Sequence, residues 1–238
     1  MLATEISQPV LTELTMKGAR NAEPLVEGGS TDRHARLRAV DLFDDRMLSS
    51  MRTTPVASFT AERPGSRKLE ADFALFWQQS YFGELRSGIL FGECKTFGVF
   101  DDKDVRRMRF LAKQFPGASL AFCTLRKSLT TREIRLIKGL AKSCRKYWKA
   151  DQPTHPILVL TGNELLANMR PPYCWDEATK SKFTRVAGLL EMANATQQIY
   201  LGLPPWENDW REEWQKRRER AQTKQTIVGP TGSGLLST

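Results

Sequence analysis

Short apolar runs alternate with amphipathic segments between residues 69 and 161, and this pattern carries most of the structural information in the chain. The runs are four to nine residues long, rich in β-branched and aromatic residues, and bounded by turn residues, which predicts β-strands. The segments between the later runs repeat apolar residues at helical spacing. The predicted strands are 69–77, 88–95, 118–125 and 156–161, and the predicted helices are 101–115 and 130–149. This order predicts an α/β domain whose later strands are joined by crossover helices.

The flanking parts of the chain show weaker, mainly helical patterns. Residues 8–26 and 33–50 are compatible with helices before the block, and 163–169, 178–200 and 206–224 with helices after it. The last stretch has no apolar periodicity, which is typical of a disordered tail. The predicted organisation is an N-terminal helical segment packing on the core at 1–66, a core at 67–162, a helical C-terminal extension at 163–224 and a disordered tail at 225–238.

Composition favours an intracellular globular protein with an anionic partner. The chain has 238 residues, 36 Lys and Arg against 27 Asp and Glu, and a net charge of +9. It contains no apolar run long enough for a membrane span, and its N-terminus lacks the pattern of a signal peptide. We therefore expect a cytoplasmic protein that does not contact a membrane. The basic surplus suits a polyanion but does not define a chemistry.

Cysteine and histidine usage excludes several common kinds of site. The four cysteines are widely spaced without a C-x-x-C pair, so we expect buried thiols rather than disulfides or a zinc ribbon. Only two histidines, His34 and His155, are present for a histidine metal site or a catalytic triad. Chemistry in this chain is expected to depend on carboxylates and lysine.

The strongest chemical pattern joins Asp72 to Glu93 and Lys95. Asp72 interrupts an apolar strand, where an uncompensated carboxylate is costly, and Glu93-Cys94-Lys95 ends the next strand. Alternate strand residues share a face, so Glu93 and Lys95 point the same way, and a hairpin can bring Asp72 beside Glu93. Two carboxylates form a hard oxygen site that suits Mg²⁺ or Mn²⁺.

At these residues the sequence resembles the PD-(D/E)XK nuclease superfamily, which has the restriction-endonuclease-like fold. The resemblance covers 69–125 and extends to 161 by the order of elements, and Ala71 stands where the motif has proline. It implies an α/β fold with a mixed sheet flanked by helices, here with a helical C-terminal extension.

The resemblance also implies roles for individual residues. Asp72 and Glu93 would bind the metal ion, the Cys94 backbone carbonyl would complete its ligands, and Lys95 would position or activate the attacking water. Many members carry a further acid on a preceding helix. Glu23 fits that position loosely, and Glu70, which shares a strand face with Asp72, competes with it.

Two predicted helices carry most of the basic surplus. The helix at 130–149 has seven basic residues against the single acid Glu133, and the helix at 101–115 adds five more. Rows of cations along a helix suit phosphate binding, although a solvated face is the alternative. The predicted nucleic-acid-binding residues are Arg106, Arg107, Arg109, Lys113, Arg135, Lys138 and Lys142.

A tryptophan stripe marks the predicted C-terminal helix. Trp206, Trp210 and Trp214 recur every four residues, and the charge around them nearly cancels. Such a stripe favours docking on the protein's own core or on a partner protein over stacking on bases.

The function that these features predict is hydrolysis of DNA by a Mg²⁺- or Mn²⁺-dependent endonuclease. The alternative is a non-catalytic nucleic-acid-binding or assembly subunit that keeps the nuclease-like fold. DNA is favoured over RNA only by the resemblance.

Overall fold

The computed structural model describes most of the chain between residues 32 and 206. The described residues are 15–16, 32–43, 51–62, 68–81, 84–145, 148–149, 152–184, 186 and 188–206. Within this part, the helices are α1 Arg33–Asp41, α2 Asp102–Gln114, α3 Thr131–Arg145, α4 Gly162–Leu165, α5 Glu177–Lys182 and α6 Leu189–Leu201. The strands are β1 Thr15–Met16, β2 Met51–Glu62, β3 Leu69–Tyr81, β4 Glu84–Lys95, β5 Ser119–Thr124, β6 Trp148–Lys149, β7 Gln152–Pro153 and β8 Ile157–Leu160.

The protein is an α/β structure built on one mixed sheet. Among the described strands, the sheet order is β1-β2-β3-β4-β5-β8, and β6 and β7 form a separate two-stranded ribbon. The first four strands of the sheet are antiparallel to their neighbours, whereas β4, β5 and β8 are parallel. The helices α2 and α3 make the two crossovers between the parallel strands. The predicted α/β class and the predicted crossovers are confirmed.

The helices cover the two faces of the sheet. One face packs the apolar sides of α2 and α3 against residues such as Phe91, Phe122 and Val159. The opposite face packs against α1, where the rings of Phe43 and Phe73 lie 6.4 Å apart. Because both faces are covered, β5 and β8 are buried along their whole length, as their continuous apolar runs predicted.

The segment 1–66 is not helical throughout, so that prediction is wrong for its described strands. α1 lies within the helix predicted at 33–50, but residues 51–62 form β2, which pairs with β3 over most of its length. Thr15 and Met16 form β1 inside the helix predicted at 8–26, whose other residues lie outside the described part. β2 was missed because Pro55 and several polar residues interrupt its alternation. Cross-strand hydrogen bonds to β3, rather than its own apolar pattern, hold it in the sheet.

The helix predictions after β5 need three corrections. α3 ends at Arg145, and Trp148–Lys149 pair with Gln152–Pro153 instead of extending the helix to 149. The helix predicted at 163–169 contains only α4. The single helix predicted at 178–200 is divided into α5 and α6, because Phe183 ends α5 and the extended Gly188 precedes α6.

α6 protects the outer edge of the sheet. Thr196 Oγ1 accepts a hydrogen bond from the backbone N–H of Val159 at 3.2 Å, and Gln197 Nε2 donates to the carbonyl of Ile157 at 2.8 Å. These side chains use backbone groups of β8 that a further strand would otherwise take. This part of the predicted C-terminal extension therefore belongs to the layer that flanks the sheet.

The chain divides into two compact units, 1–203 and 204–238. Only residues 204–206 of the second unit are described, so Trp210, Trp214, the helix predicted at 206–224 and the tail at 225–238 lie outside the described residues. No described helix is both long enough and apolar enough to cross a membrane. All four cysteines are free thiols; Cys174 is partly exposed and the other three are buried, in agreement with the prediction.

Gly92 allows close packing between β3 and β4. It pairs with Phe73, and a Cβ atom at Gly92 would overlap the Phe73 ring. Phe73 is fully buried, so its ring has little room to move away. The absence of a side chain at Gly92 therefore fixes the spacing of the two strands next to Asp72 and Glu93.

We expect Gly92→Ala to lower the free energy of unfolding by about 1–3 kcal/mol through overpacking. Gly139→Ala is the matched control, since Gly139 is exposed on α3 with open space around it, and the change should raise stability by about 0.5–1 kcal/mol. Chemical denaturation of both variants measures the difference. Equal effects would show that the Phe73 ring does not restrict Gly92.

Candidate active site

Asp72 and Glu93 lie where β3 and β4 separate. The two strands pair from Tyr81 and Glu84 to Phe73 and Gly92, and the next residue on each strand is Asp72 and Glu93. β4 continues beyond this point by pairing with β5. The Asp72 carboxylate occupies the gap, because its Oδ2 accepts a hydrogen bond from the backbone N–H of Cys94 at 2.6 Å. The predicted meeting of the two acids is thus produced by a local opening of the β-ladder.

β2 is distorted opposite the same point. Ala57 pairs with Phe73 and Phe59 pairs with Ala71, and between them Ser58 has a φ of +54°. Residues with a side chain other than Asn and Asp seldom adopt this left-handed conformation. The distortion bends β2 beside Asp72.

Glu93 is a fully buried carboxylate at the centre of the site. Its Oε1 accepts hydrogen bonds from Lys95 Nζ at 3.0 Å and from Arg107, whereas its Oε2 is buried without a hydrogen-bond partner in the described structure. Burial and the negative charge of Asp72, opposed by Arg107, raise the pKa of Glu93 to about 8, and Asp104 adds to the rise. The site therefore holds a carboxyl group that is poised to bind either a proton or another cation.

Lys95 bridges the two acids that face it. Its Nζ contacts Glu93 Oε1 at 3.0 Å and Asp104 Oδ1 at 3.2 Å. Burial opposes the charged form, but the neighbouring carboxylates outweigh burial and raise the pKa of Lys95. Lys95 is consequently a cation at neutral pH. Two of its three N–H donors are used in these contacts, and one remains for a substrate or a water molecule.

α2 contributes Asp104 and Arg107 to the site. Asp104 accepts from the Asp101 backbone N–H at 3.0 Å, and Asp101 accepts in return from the Asp104 backbone N–H at 3.0 Å, which forms a capping box. The first turn of α2 thereby directs Asp104 towards Lys95, and Arg107 follows one turn later and contacts both Glu93 and Asp104.

Asp104 was missed as a site residue, although the spacing of Asp101 and Asp104 before an apolar helix could have indicated the capping box.

A second unpredicted acid, Asp32, fixes the segment that follows Lys95. Its Oδ1 accepts from the Thr96 backbone N–H at 2.7 Å, and Asp32 directly precedes α1. The two residues are 64 positions apart, so no local sequence pattern could have linked them. The Thr96 hydroxyl is buried and has no hydrogen-bond partner among the described residues.

The oxygen donors of this site fit a divalent cation. The described residues contain no group of three or more His, Cys, Asp and Glu side chains arranged to hold a metal ion. Asp72, Glu93 and the Cys94 carbonyl offer instead two carboxylates and one backbone oxygen, which are the ligand types that Mg²⁺ and Mn²⁺ prefer. A buried, unpartnered oxygen such as Glu93 Oε2 costs about 1–3 kcal/mol. A cation on that oxygen would offset this cost.

Neither candidate for the third acid is part of the cluster as described. Glu23 lies outside the described residues. Glu70 is exposed and forms an ion pair with Lys68 at 2.8 Å, which lowers the pKa of Glu70. The choice between them stays a prediction, and Asp104 is the third carboxylate that contacts the Lys95 and Arg107 cations.

The predicted nucleic-acid-binding residues fall into two groups. One group is exposed and consists of Arg106, Arg109 and Lys113 on α2 and Arg135 and Lys142 on α3. In the other group, Lys138 donates to the Gly202 carbonyl at 3.3 Å, and Arg107 is held by Glu93 and Asp104. Arg107 therefore belongs to the acid–lysine cluster, and its contact with nucleic acid stays a prediction.

Comparisons of the chain with family models, with curated proteins and with solved structures find no significant match. The functional interpretation of this site therefore rests on its own geometry and on the acid–acid–lysine motif.

We expect the metal-free protein to lose stability as pH rises, because of Glu93. The folded protein retains the Glu93 proton up to about pH 8, whereas an unfolded chain releases it near 4.5. The stabilisation is thus complete below about 4.5 and is lost by about 8, at up to about 1.4 kcal/mol per pH unit. Denaturation in chelator between pH 5 and 9 measures this slope.

Glu93→Gln is the matched variant for that experiment, because it keeps the shape of the side chain and cannot titrate. Its stability relative to the wild type should rise over the same pH range. Parallel curves for the two proteins would contradict the raised pKa of Glu93.

Proposed function

We propose that this chain is a divalent-metal-dependent endonuclease that hydrolyses phosphodiester bonds of DNA, built on a restriction-endonuclease-like fold. The observation that carries the proposal is the meeting of Asp72, Glu93 and Lys95 at the point where β3 and β4 separate. Their residue types and their spacing on two successive strands agree with the PD-(D/E)XK motif that the sequence resembles.

The order of elements supports the same fold. The strand that carries Asp72 and the strand that carries Glu93 and Lys95 are antiparallel neighbours. They are followed by α2 and then by β5, which is parallel to β4. This is the succession of strand, strand, helix and strand that the resemblance implies.

Each site residue has a role that follows from its contacts. Asp72, Glu93 and the Cys94 carbonyl would hold Mg²⁺ or Mn²⁺, which when bound polarises a phosphoryl oxygen and makes water more acidic. The Lys95 ammonium keeps one N–H donor for the phosphate or for the attacking water, and Asp104 holds that ammonium in place. Arg107 adds a guanidinium group that suits a phosphate oxygen.

The choice of DNA over RNA rests on the resemblance alone. Recognition of a sequence or structure in the DNA, and docking of a partner protein through Trp206, Trp210 and Trp214, are proposals of the same kind.

The second candidate function is a non-catalytic nucleic-acid-binding or assembly subunit. One observation favours it: Lys95 and Arg107 both contact Glu93 Oε1, so the charge of this acid is compensated without a metal ion. The intact acid–acid–lysine set favours the enzyme, because a subunit without catalysis has no need of all three groups. Cleavage assays separate the two functions.

We expect Asp72→Ala and Lys95→Ala each to lower the rate of DNA cleavage by at least about 100-fold, since each removes a group that acts at the reacting phosphate. Supercoiled, nicked and linear DNA and single-stranded RNA, incubated with Mg²⁺ or Mn²⁺, provide the assay. Glu177→Ala and Lys180→Ala are the matched controls, because these residues form an exposed ion pair on α5. Cleavage that survives both site variants would refute the site.

We also expect Mn²⁺ to raise the melting temperature of the wild type and to have little effect on Asp72→Asn or Glu93→Gln. The physical reason is that a cation bound only by the folded state stabilises it. Glu177→Gln should keep the wild-type response. This readout does not depend on catalysis, and a wild type that Mn²⁺ leaves unchanged up to millimolar concentration would exclude the metal site.

A further inference from the structure

A basic cavity opens between the start of β3 and α2, next to the candidate active site. Its volume is about 210 Å³. The side chains that matter for its chemistry are Lys68, Glu70, Lys103, Arg106, Arg107 and Phe110. Those of α2 follow a spacing of three and four residues, so they form one row along the helix. The cavity therefore has a wall of cations on α2 and an aromatic ring at its end.

The cavity has more positive charge than its own acid can balance. Four of its residues are cationic and one, Glu70, is acidic. Glu70 is paired with Lys68 at 2.8 Å, and Arg107 is held by Glu93 and Asp104. The side chains of Lys103 and Arg106 are exposed and form no hydrogen bond or ion pair with any residue that the structure describes. They are the two cations available to an anion.

Arg107 connects the cavity to the candidate active site. It lines the cavity and also contacts Glu93, the proposed metal ligand. An anion in the cavity would therefore lie one side chain away from the reacting phosphate. This arrangement suits two phosphate groups of a single strand, one at Lys95 and one beside Arg106.

The size of the cavity restricts the group that it can hold. Sites for whole small molecules span roughly 300–1,000 Å³. A volume of about 210 Å³ is below that range, so the cavity suits a single phosphate group with its water rather than a whole nucleotide.

We propose that the Lys103–Arg106 cavity binds one internal backbone phosphate of the DNA strand that is cut, next to the scissile phosphate. This inference rests on the proposed nuclease function and deepens it, because it fixes where the strand continues from the active site along α2. It also divides the predicted phosphate contacts on α2, since Arg106 lines the cavity whereas Arg109 and Lys113 do not.

The salt dependence of DNA binding tests the proposal without catalysis. The slope of log K against log salt falls by about 0.9 for each phosphate contact that is lost in duplex DNA. We expect the double variant Lys103→Gln with Arg106→Gln to reduce the slope by about 1 and to weaken binding about tenfold at low salt. Fluorescence anisotropy in EDTA, with a duplex and with competing circular DNA, gives both values.

The matched control is Arg52→Gln with Lys180→Gln, which removes the same two charges from exposed positions. Arg52 pairs with Gln78, five residues or about 17 Å along β3 from Phe73, at the far end from the site. This variant should keep the wild-type slope. A cavity variant that also keeps it overturns the proposal.

Further arms separate the source of the phosphate and the two levels of inference. Circular DNA and linear DNA with 5′-phosphate or 5′-hydroxyl ends should lose affinity equally in the cavity variant. A loss confined to 5′-phosphorylated ends would assign the cavity to a terminal phosphate and overturn the internal one. Reduced slope without any metal-dependent cleavage by the wild type would keep the cavity as a phosphate site and refute the hydrolysis. A wild type that binds no DNA would overturn both.

Discussion

Compensation of one buried carboxylate governs the end of β4 and everything packed around it. Glu93 has no exposed surface, so its charge or its proton must be supported by neighbours. Lys95 from the same strand and Arg107 from α2 provide that support, and both also contact Asp104. Asp104 in turn caps α2. The position of the first crossover helix is therefore coupled to the chemistry of the site.

The same place is where the sheet gives up regular pairing. Beyond Phe73 and Gly92 the backbone of β4 no longer pairs with β3, and the Asp72 side chain accepts the Cys94 N–H instead. Buried backbone donors must be satisfied, so a carboxylate on this side chain allows the strands to open at no loss of a hydrogen bond. Packing also limits the opening, because Phe73 fills the space above Gly92. The fold thus produces a cleft beside two acids without an irregular loop.

The sequence predicted the elements whose stability comes from their own periodicity. The buried strands β5 and β8, the amphipathic helix α2 and the acid–acid–lysine motif on β3 and β4 all have local patterns. β2 could not be predicted in this way, because its partner supplies its hydrogen bonds and one face of the strand is largely exposed. The contact of Asp32 with Thr96 was equally hidden, since it joins residues far apart in the chain.

Arg107 shows why charge counting along a helix is not enough to assign function. By sequence it is one of five basic residues on α2 and equivalent to its neighbours. In the fold, Arg107 reaches Glu93, Arg106 lines the cavity, and Arg109 is exposed outside it. Three adjacent cations thus have three different environments. Under the proposed function, a divalent cation at Asp72 and Glu93 would compete with Arg107 for the same carboxylate and leave its guanidinium donors to the phosphates on either side.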